Sequence, residues 1–337
     1  MDRRVTIKDV ARIAGVTHTT VSRVIHDDAR ISDATKKRVR KALVHLDYQP
    51  NLVARGLVNN RTQVVALISP ELSPFALPVV RSVAESCSKR DYAMMLFPTN
   101  TWVRESLSFE HVSQNWLVDG ILVYNLIYHD KVPKEILALQ STNLPFLFIN
   151  KFLESKEVNA VGVDNDYAVQ LAVEHLAAAG HKRIGMLYGN LTSVDGMERY
   201  QAFRSSLGRL GLPWDESIAA CGYWYEENAR EAMGKILGHP NPPTAMFCAN
   251  DVMAMAAVQA IRARGLEVSK DIAVVGFDDL EAGRYFPVPL TTIRPPLFEA
   301  GNQAFELLMD LIQDPTRPPR QIRLKSELIV RASSVRP

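Results

Sequence analysis

Two sets of residues carry chemistry by type and spacing. The first lies in "TIKDVARIAGVTHTTVSRVI", residues 6–25, where His18, Thr19, Ser22 and Arg23 share one face of a short helix and Val21, Val24 and Ile25 share the other. Short hydrogen-bonding side chains with one arginine, placed directly after a glycine turn, suit the reading of base edges in a DNA groove. The second set follows apolar runs further along the chain. Asn150 follows "FLFI", Asn250 and Asp251 follow "AMFCA", Asp278 and Asp279 follow "VVGF", and Asp195 and Arg199 lie in and after the loop behind "RIGMLYGN". Each alone reads as a helix cap or turn residue; together they outline a cleft lined with hydroxyl-binding groups.

Other chemistries lack their residues. There is no GxGxxG after the first strand, no GxxxxGK[ST], no GxSxG and no HExxH, and His175 and His181 have no acidic or cysteine partner at ligand spacing. An enzyme, a cofactor and a metal site are therefore not expected. Cys87, Cys221 and Cys248 lie 134 and 27 residues apart, which fits reduced, buried thiols and no zinc site.

The elements that must position these residues divide by charge. Residues 1–61 hold 13 Lys+Arg against 6 Asp+Glu, whereas the rest of the 337 residues is mildly acidic, for a total of +2. A basic head on an acidic body is expected where only the head meets a polyanion. Ile7, Val10, Ala11 and Ala14 form one helical face, Gly15 ends that helix, and Thr17 can cap the next. These make a helix-turn-helix. Ser32 and Asp33 open a third helix that buries Val39, Ala42, Leu43 and Leu46, and its outer face carries Lys36, Lys37, Arg38, Arg40 and Lys41. Phosphate contact and a solvated face both account for those charges. In "YQPNLVARGLVNN", residues 48–60, Pro50 breaks the preceding helix and Asn51 can cap a new one. About eight residues are too few for a helix stable alone, so a partner chain or DNA must support it.

From residue 64 short apolar runs alternate with helical stretches: "VVALI", "AMMLF", "GILVY" and "FLFI", then, after Val163, "RIGML", "AMFC" and "IAVVGF". Helices are expected around 78–90, 103–118, 133–140, 167–179, 197–210, 227–237 and 251–264. The alternation predicts an α/β core of two doubly wound parallel-sheet lobes behind an all-α head. No stretch of 18 apolar residues exists and the N-terminus is charged, so neither a membrane span nor a secretory signal is expected, and the cytoplasm is the expected compartment.

"VTIKDVARIAGVTHTTVSRVI", "ISDATKKRVRKALVHLDYQPN" and "ARGL", in that order, resemble the head of the LacI/GalR family of bacterial transcription regulators. The body is similar to the same family, and through it to the periplasmic sugar-binding fold, in "VGVDNDYAVQLAVEHLAAAGHKRIGMLYG", "MERYQAFRSSL", "CANDVMAMAAVQAIRARGL", "DIAVVGFDDLEAGRYFPVPLTTI" and "ELIVRASS". The resemblance implies a headpiece over 1–48, a hinge helix and linker over 49–61, and an effector-binding and dimerisation core over 62–337. The N-lobe would take about 62–162 and 292–322, and the C-lobe about 163–291 and 323–337.

It further implies a homodimer reading near-palindromic double-stranded operator DNA. His18 and Thr19 would set specificity, Arg23 would contact a base, and Thr17, Thr20 and Ser22 would meet phosphates. Asn51, Ala54 and Leu57 would engage DNA from the hinge, with Leu57 wedged into the minor groove. Asn150, Ser193, Asp195, Arg199, Asn250 and Asp278 would hydrogen-bond a small effector, Trp224 would stack on it and Phe75 would close the pocket. A sugar or sugar derivative fits that set; a nucleobase or nucleoside could use the same aromatic. A regulator, acting as a repressor, is the leading expectation, and a sugar-binding protein without DNA function is the alternative. The family pattern is broken at His26, where asparagine is usual, at Gly56, and at Ala76, Leu77 and Pro78 beginning the first core helix. The chain also lacks the leucine-heptad tail of one tetrameric family member, which leaves a dimer as the expectation.

Overall fold

The structure is a computed structural model that describes residues 5–25, 27–48, 61–69, 73–98, 118–124, 144–152 and 158–335. It divides into two compact units, residues 1–63 and 64–337.

In the first unit three helices, Ile7–Ala14, His18–Ile25 and Asp33–His45, pack around Val10, Ala11, Ala14, Val21, Val24, Val39 and Ala42. Ile25, Leu43 and Leu46 are only partly buried against this core. Gly15 takes the left-handed conformation (φ 61°), and the Val16 N–H returns to the Ala11 carbonyl at 3.0 Å. That conformation excludes most side chains and makes the turn tight enough to stack the first two helices.

The second unit holds two six-stranded sheets. β1 (Val64–Ser69), β2 (Ala93–Pro98), β3 (Gly120–Tyr124), β4 (Phe146–Ile149), β5 (Ala160–Val163) and β11 (Gln321–Leu324) form one, in the order β11-β5-β4-β3-β1-β2 and wholly parallel. β6 (Ile184–Tyr188), β7 (Ala219–Cys221), β8 (Ala245–Cys248), β9 (Ala273–Phe277), β10 (Thr291–Arg294) and β12 (Glu327–Ile329) form the other, in the order β12-β10-β9-β8-β6-β7. Only β12 there runs antiparallel, against β10. Strands β1, β3, β5, β8 and β9 are buried along their whole length. Continuous apolar runs of Val, Ile and Leu are what a sheet covered on both faces requires.

Helices Leu77–Lys89, Asn165–Ala178, Val194–Arg209, Glu226–Leu237 and Asp251–Ala263 correspond to expected segments. Helix Leu297–Gln313 and the short strands β5, β7, β10, β11 and β12 were not read from periodicity. The segments expected as helices at 103–118 and 133–140 lie almost entirely outside the described residues, as do His26 and the hinge with Asn51, Ala54, Gly56 and Leu57. The chain crosses between the sheets after Val163, after Arg294 and after Leu324. Strands β10 and β11 thus complete their pairing beyond the lobe boundaries expected at 292 and 323. Strand pairing fixes the crossing, because a ladder is left only where its hydrogen bonds end. Among the described residues no helix is long and apolar enough to cross a membrane.

Candidate DNA-reading face and effector cleft

On helix His18–Ile25 the apolar side is buried through Val21 and Val24, while Thr17, His18, Thr19 and Arg23 are exposed and Thr20 and Ser22 are half-buried. Thr17 Oγ1 accepts the Thr20 N–H at 3.2 Å and lies 2.7 Å from Thr19 Oγ1 and 2.9 Å from Thr20 Oγ1. The expected cap therefore forms and gathers three hydroxyls at the positive end of the helix, where phosphate oxygens are favoured. The third helix separates its charges. Lys36 and Arg40 are spent on Asp27, at 3.0 and 2.9 Å, and hold that carboxyl below its usual range, chiefly through the Lys36 hydrogen bond. Lys37, Arg38 and Lys41 remain exposed.

In the core, every expected cleft residue lies on the segment that follows the carboxyl end of a strand. Asn150 comes directly after β4, Asp278 directly after β9, Asn250 two residues after β8 and Trp224 three after β7. Phe75 and Ser193 lie further along the loops after β1 and β6, and Asp195 and Arg199 in the first turns of the helix Val194–Arg209 that follows β6. Strand order reverses between β1 and β3 and between β6 and β8. Such reversals open a crevice at the carboxyl edge of each sheet, and α/β sheets bind ligands there.

Arg199 organises the C-lobe wall. Its residue is 2% exposed, its Nε donates to Asn165 Oδ1 at 3.0 Å, and its Nη1 donates to the Ala249 carbonyl at 2.6 Å. The guanidinium lies 3.5 Å from the centre of the Phe277 ring and 5.7 Å from that of Trp224. Asp195 accepts from Asn165 Nδ2 at 3.0 Å and from Asn150 Nδ2 at 3.3 Å. Burial pushes its carboxyl above the usual value, and the nearby Arg199 only partly opposes this. Asp278 is lifted well above the usual range, first by burial and then by Asp251 and Asp195, with Arg199 again opposing. Its Oδ1 is buried and makes no hydrogen bond to protein. A buried oxygen without a partner is costly, and a ligand hydroxyl would satisfy it.

The loop around Asp278 is strained and anchored. Asp278 and Asp279 both have positive φ, 119° and 51°. Asp279 accepts from Arg331 at 2.5 Å, Arg294 at 2.7 Å and Arg284 at 3.0 Å, and these arginines keep it ionised below its usual value against the effect of burial. Asp251 is fully buried and accepts the Leu280 N–H at 2.8 Å and the Thr292 hydroxyl at 2.6 Å. A Cβ on Gly276 would come within 2.2 Å of Asp251 Oδ1, so glycine is what admits this carboxyl. Asp251 thus serves as a loop anchor.

Trp224 sits in a left-handed turn (φ 73°), and its carbonyl accepts from Asn250 Nδ2 at 3.2 Å, while Asn250 Oδ1 caps the next helix through the Met253 N–H at 2.8 Å. The indole lies directly on Gly189, where a Cβ would come within 2.1 Å of the ring. Ser193 is similarly engaged: its hydroxyl donates to the Asn190 carbonyl at 2.7 Å and accepts the Gly196 N–H at 3.2 Å. Asn250 and Ser193 therefore hold the loops that carry Trp224 and Asp195. Phe75 packs 6.3 Å from the buried Tyr124, which follows the same edge of the N-lobe sheet.

Asn165, Phe277 and Lys151 join this site although they are not among the residues expected there. Asn165 is 1% exposed and bonds Arg199, Asp195 and Glu198, yet in "VDNDYA" it reads as one more polar residue at a helix start. Lys151, 5% exposed and next to Asn150, has its ammonium pushed below the usual range by burial, which the Asp195 charge opposes. A lysine directly after a strand-end asparagine was the available signal. Among the described residues no group of three His, Cys, Asp or Glu is placed to hold a metal.

Residues 6–51 match the family of bacterial regulatory proteins, lacI family, and residues 173–334 match the periplasmic binding protein-like domain. The chain is 34% identical over 330 residues to the HTH-type transcriptional repressor PurR of Pasteurella multocida (strain Pm70), covering 97% of this chain and 98% of that one. A solved lac repressor dimer bound to operator and the anti-inducer ONPF superposes with a TM-score of 0.85 at 28% identity, over 99% of this chain and 100% of the other. A complex of the transcriptional regulator CelR with cellobiose gives 0.73 at 31% identity, over 98% and 100%. With a DNA-reading helix, two sheets edged by one polar cleft and end-to-end similarity of this degree, the chain belongs to the LacI family of bacterial regulatory proteins.

Proposed function

We propose that this chain is a cytoplasmic transcriptional repressor that binds a near-palindromic operator as a homodimer and answers to a small polyhydroxylated effector in the core cleft. The observation that carries the effector is Asp278: a buried carboxyl oxygen without a partner, held at the carboxyl edge of a sheet beside Arg199, Asp195 and the Trp224 ring. A carboxyl group there accepts from one hydroxyl, an indole covers an apolar sugar face, and Asn150 brings an amide from the other lobe. Among the relatives, the CelR structure holds cellobiose and the lac repressor dimer holds operator DNA. In this reading His18, Thr19 and Arg23 meet base edges in the major groove, Thr17, Thr20 and Ser22 meet phosphates, and Asn51, Ala54 and Leu57 engage the DNA from the hinge, Leu57 in the minor groove. An effector acts only through its different affinity for the operator-bound and free states.

The test is thermal stability of the full chain with sugars, sugar phosphates, nucleobases and nucleosides, together with operator binding by fluorescence anisotropy. A ligand at 100 times its Kd adds about 2.7 kcal/mol, an easily measured shift. A neutral sugar that stabilises the parent but not Asp278→Asn supports the reading. A nucleobase as the only stabilising compound overturns the sugar class and leaves the regulator.

A further inference from the structure

Outside the backbone crossings, two described side-chain hydrogen bonds join the lobes. One is Asn150 to Asp195, inside the cleft. The other lies away from it: Arg323 on β11 of the N-lobe sheet donates from Nη2 to Glu198 Oε1 on helix Val194–Arg209 of the C-lobe at 2.9 Å.

We infer that Glu198 and Arg323 form an inter-lobe tie that, through Asn165, positions Arg199 and Asp195 and sets the spacing of the lobes. An isolated surface ion pair contributes little, because two long side chains must be ordered for a screened attraction. Here each partner is already fixed on its own lobe. The Arg323 guanidinium lies 4.0 Å from the centre of the Phe152 ring, beside β4. Glu198 Oε2 accepts from Asn165 Nδ2 at 2.7 Å. That same amide donates to Asp195 Oδ1, and its carbonyl accepts from Arg199 Nε, both at 3.0 Å. Little ordering is left to oppose the contact, and its two carboxylate oxygens serve different lobes.

The path from the N-lobe strand to the cleft arginine is thus three side chains long. Asn165 cannot turn without giving up a bond to Arg199, Asp195 or Glu198. A ligand that draws Arg199 or Asp195 toward itself therefore acts on the tie, and a change in lobe spacing acts back on the cleft. Lobe positions separated by a few kcal/mol respond to one such contact. The regulatory consequence rests on the effector reading of the cleft; the tie itself does not.

The experiment uses the full chain without ligand. Spin labels are placed at Lys89→Cys and Lys235→Cys, both exposed and on different lobes, in a Cys221→Ser background. Labelled chains are diluted with unlabelled ones so that only distances within a chain are read. Arg323→Met and Glu198→Gln are each expected to move the distance distribution to longer values, and the double variant is expected to go no further than either single one. Thermal unfolding of each variant checks that the fold is kept. A distribution unchanged in both single variants, or shifts that add in the double variant, overturns the tie. Longer distances in a chain that binds none of the ligand panel keep the tie and overturn the effector reading; unchanged distances in a chain that binds a sugar do the reverse.

Discussion

Asp251→Asn should make the protein more stable at pH 8 than the parent and leave it nearly unchanged at pH 4. Asp251 is fully buried, and burial, with the nearby Asp279 charge adding to it, pushes its carboxyl from an ordinary 3.8 up to about 7, against the Thr292 and Leu280 hydrogen bonds and the Arg331 charge. In the folded protein it keeps its proton until neutral pH, whereas the unfolded chain releases it near pH 4. Stability therefore falls as pH rises through that window, because the folded state binds the extra proton. About three units at 1.36 kcal/mol each amount to about 4 kcal/mol, present below pH 4 and lost above pH 7. Asparagine is neutral at every pH and nearly the same shape. Its carbonyl can accept the Leu280 N–H, and its amide can donate to Thr292 Oγ1, whose own proton, given to Asp251 in the parent, can turn to the Ile293 carbonyl 3.3 Å away. Urea unfolding of both proteins from about pH 4 to 8.5 at one protein concentration measures the difference and cancels the titrating groups that do not feel the Asp251 charge; Asp278 and Asp279, which do, shift with it. A stability difference that does not change with pH, or that favours the parent as pH rises, refutes the reasoning.

Gly189→Ala should drive the Trp224 indole off its seat, since the new Cβ would come within 2.1 Å of the ring; stabilisation by the effector should be lost while operator binding without effector is kept, and a full ligand shift would contradict the stacking role. Val21→Ala removes two methyl groups from a wholly buried position in a small head core, so the head should lose about 2 kcal/mol, readable as a lower unfolding temperature of its own transition. Arg23→Ala should weaken operator binding by about 1–3 kcal/mol and relax preference at one base pair, as anisotropy on single-base variants would show; a loss equal for all sequences would reassign Arg23 to a phosphate.

The local code was legible in the sequence because it acts over a few residues. Gly15 for a left-handed turn, Thr17 for a cap and the Val21, Val24 stripe each follow from backbone geometry and a 3.6-residue period. The buried strands were legible for a related reason: a sheet covered on both sides demands an unbroken apolar run, and "VVALI" or "GILVY" can be little else. The strand-end positions of Asn150, Asp195, Asn250 and Asp278 followed from that rhythm, but which of them faces a ligand did not. Asn250 and Ser193 spend their side chains on loops, while Asp278 keeps a buried oxygen unpartnered. That distinction depends on groups tens of residues away. Asp251 is raised by burial under the loop that follows β9 and bonded by Thr292 on β10, and Arg199 is aimed by Asn165 and the Ala249 carbonyl. Short strands such as β11 and β12 escaped notice because three or four residues carry no period; the sheet edge they join is what makes them strands. Period, capping and turn chemistry are local and belong to the sequence. Desolvation, charge neighbours and the pairing of lobes are set by residues far apart in the chain, and only the tertiary structure brings them together.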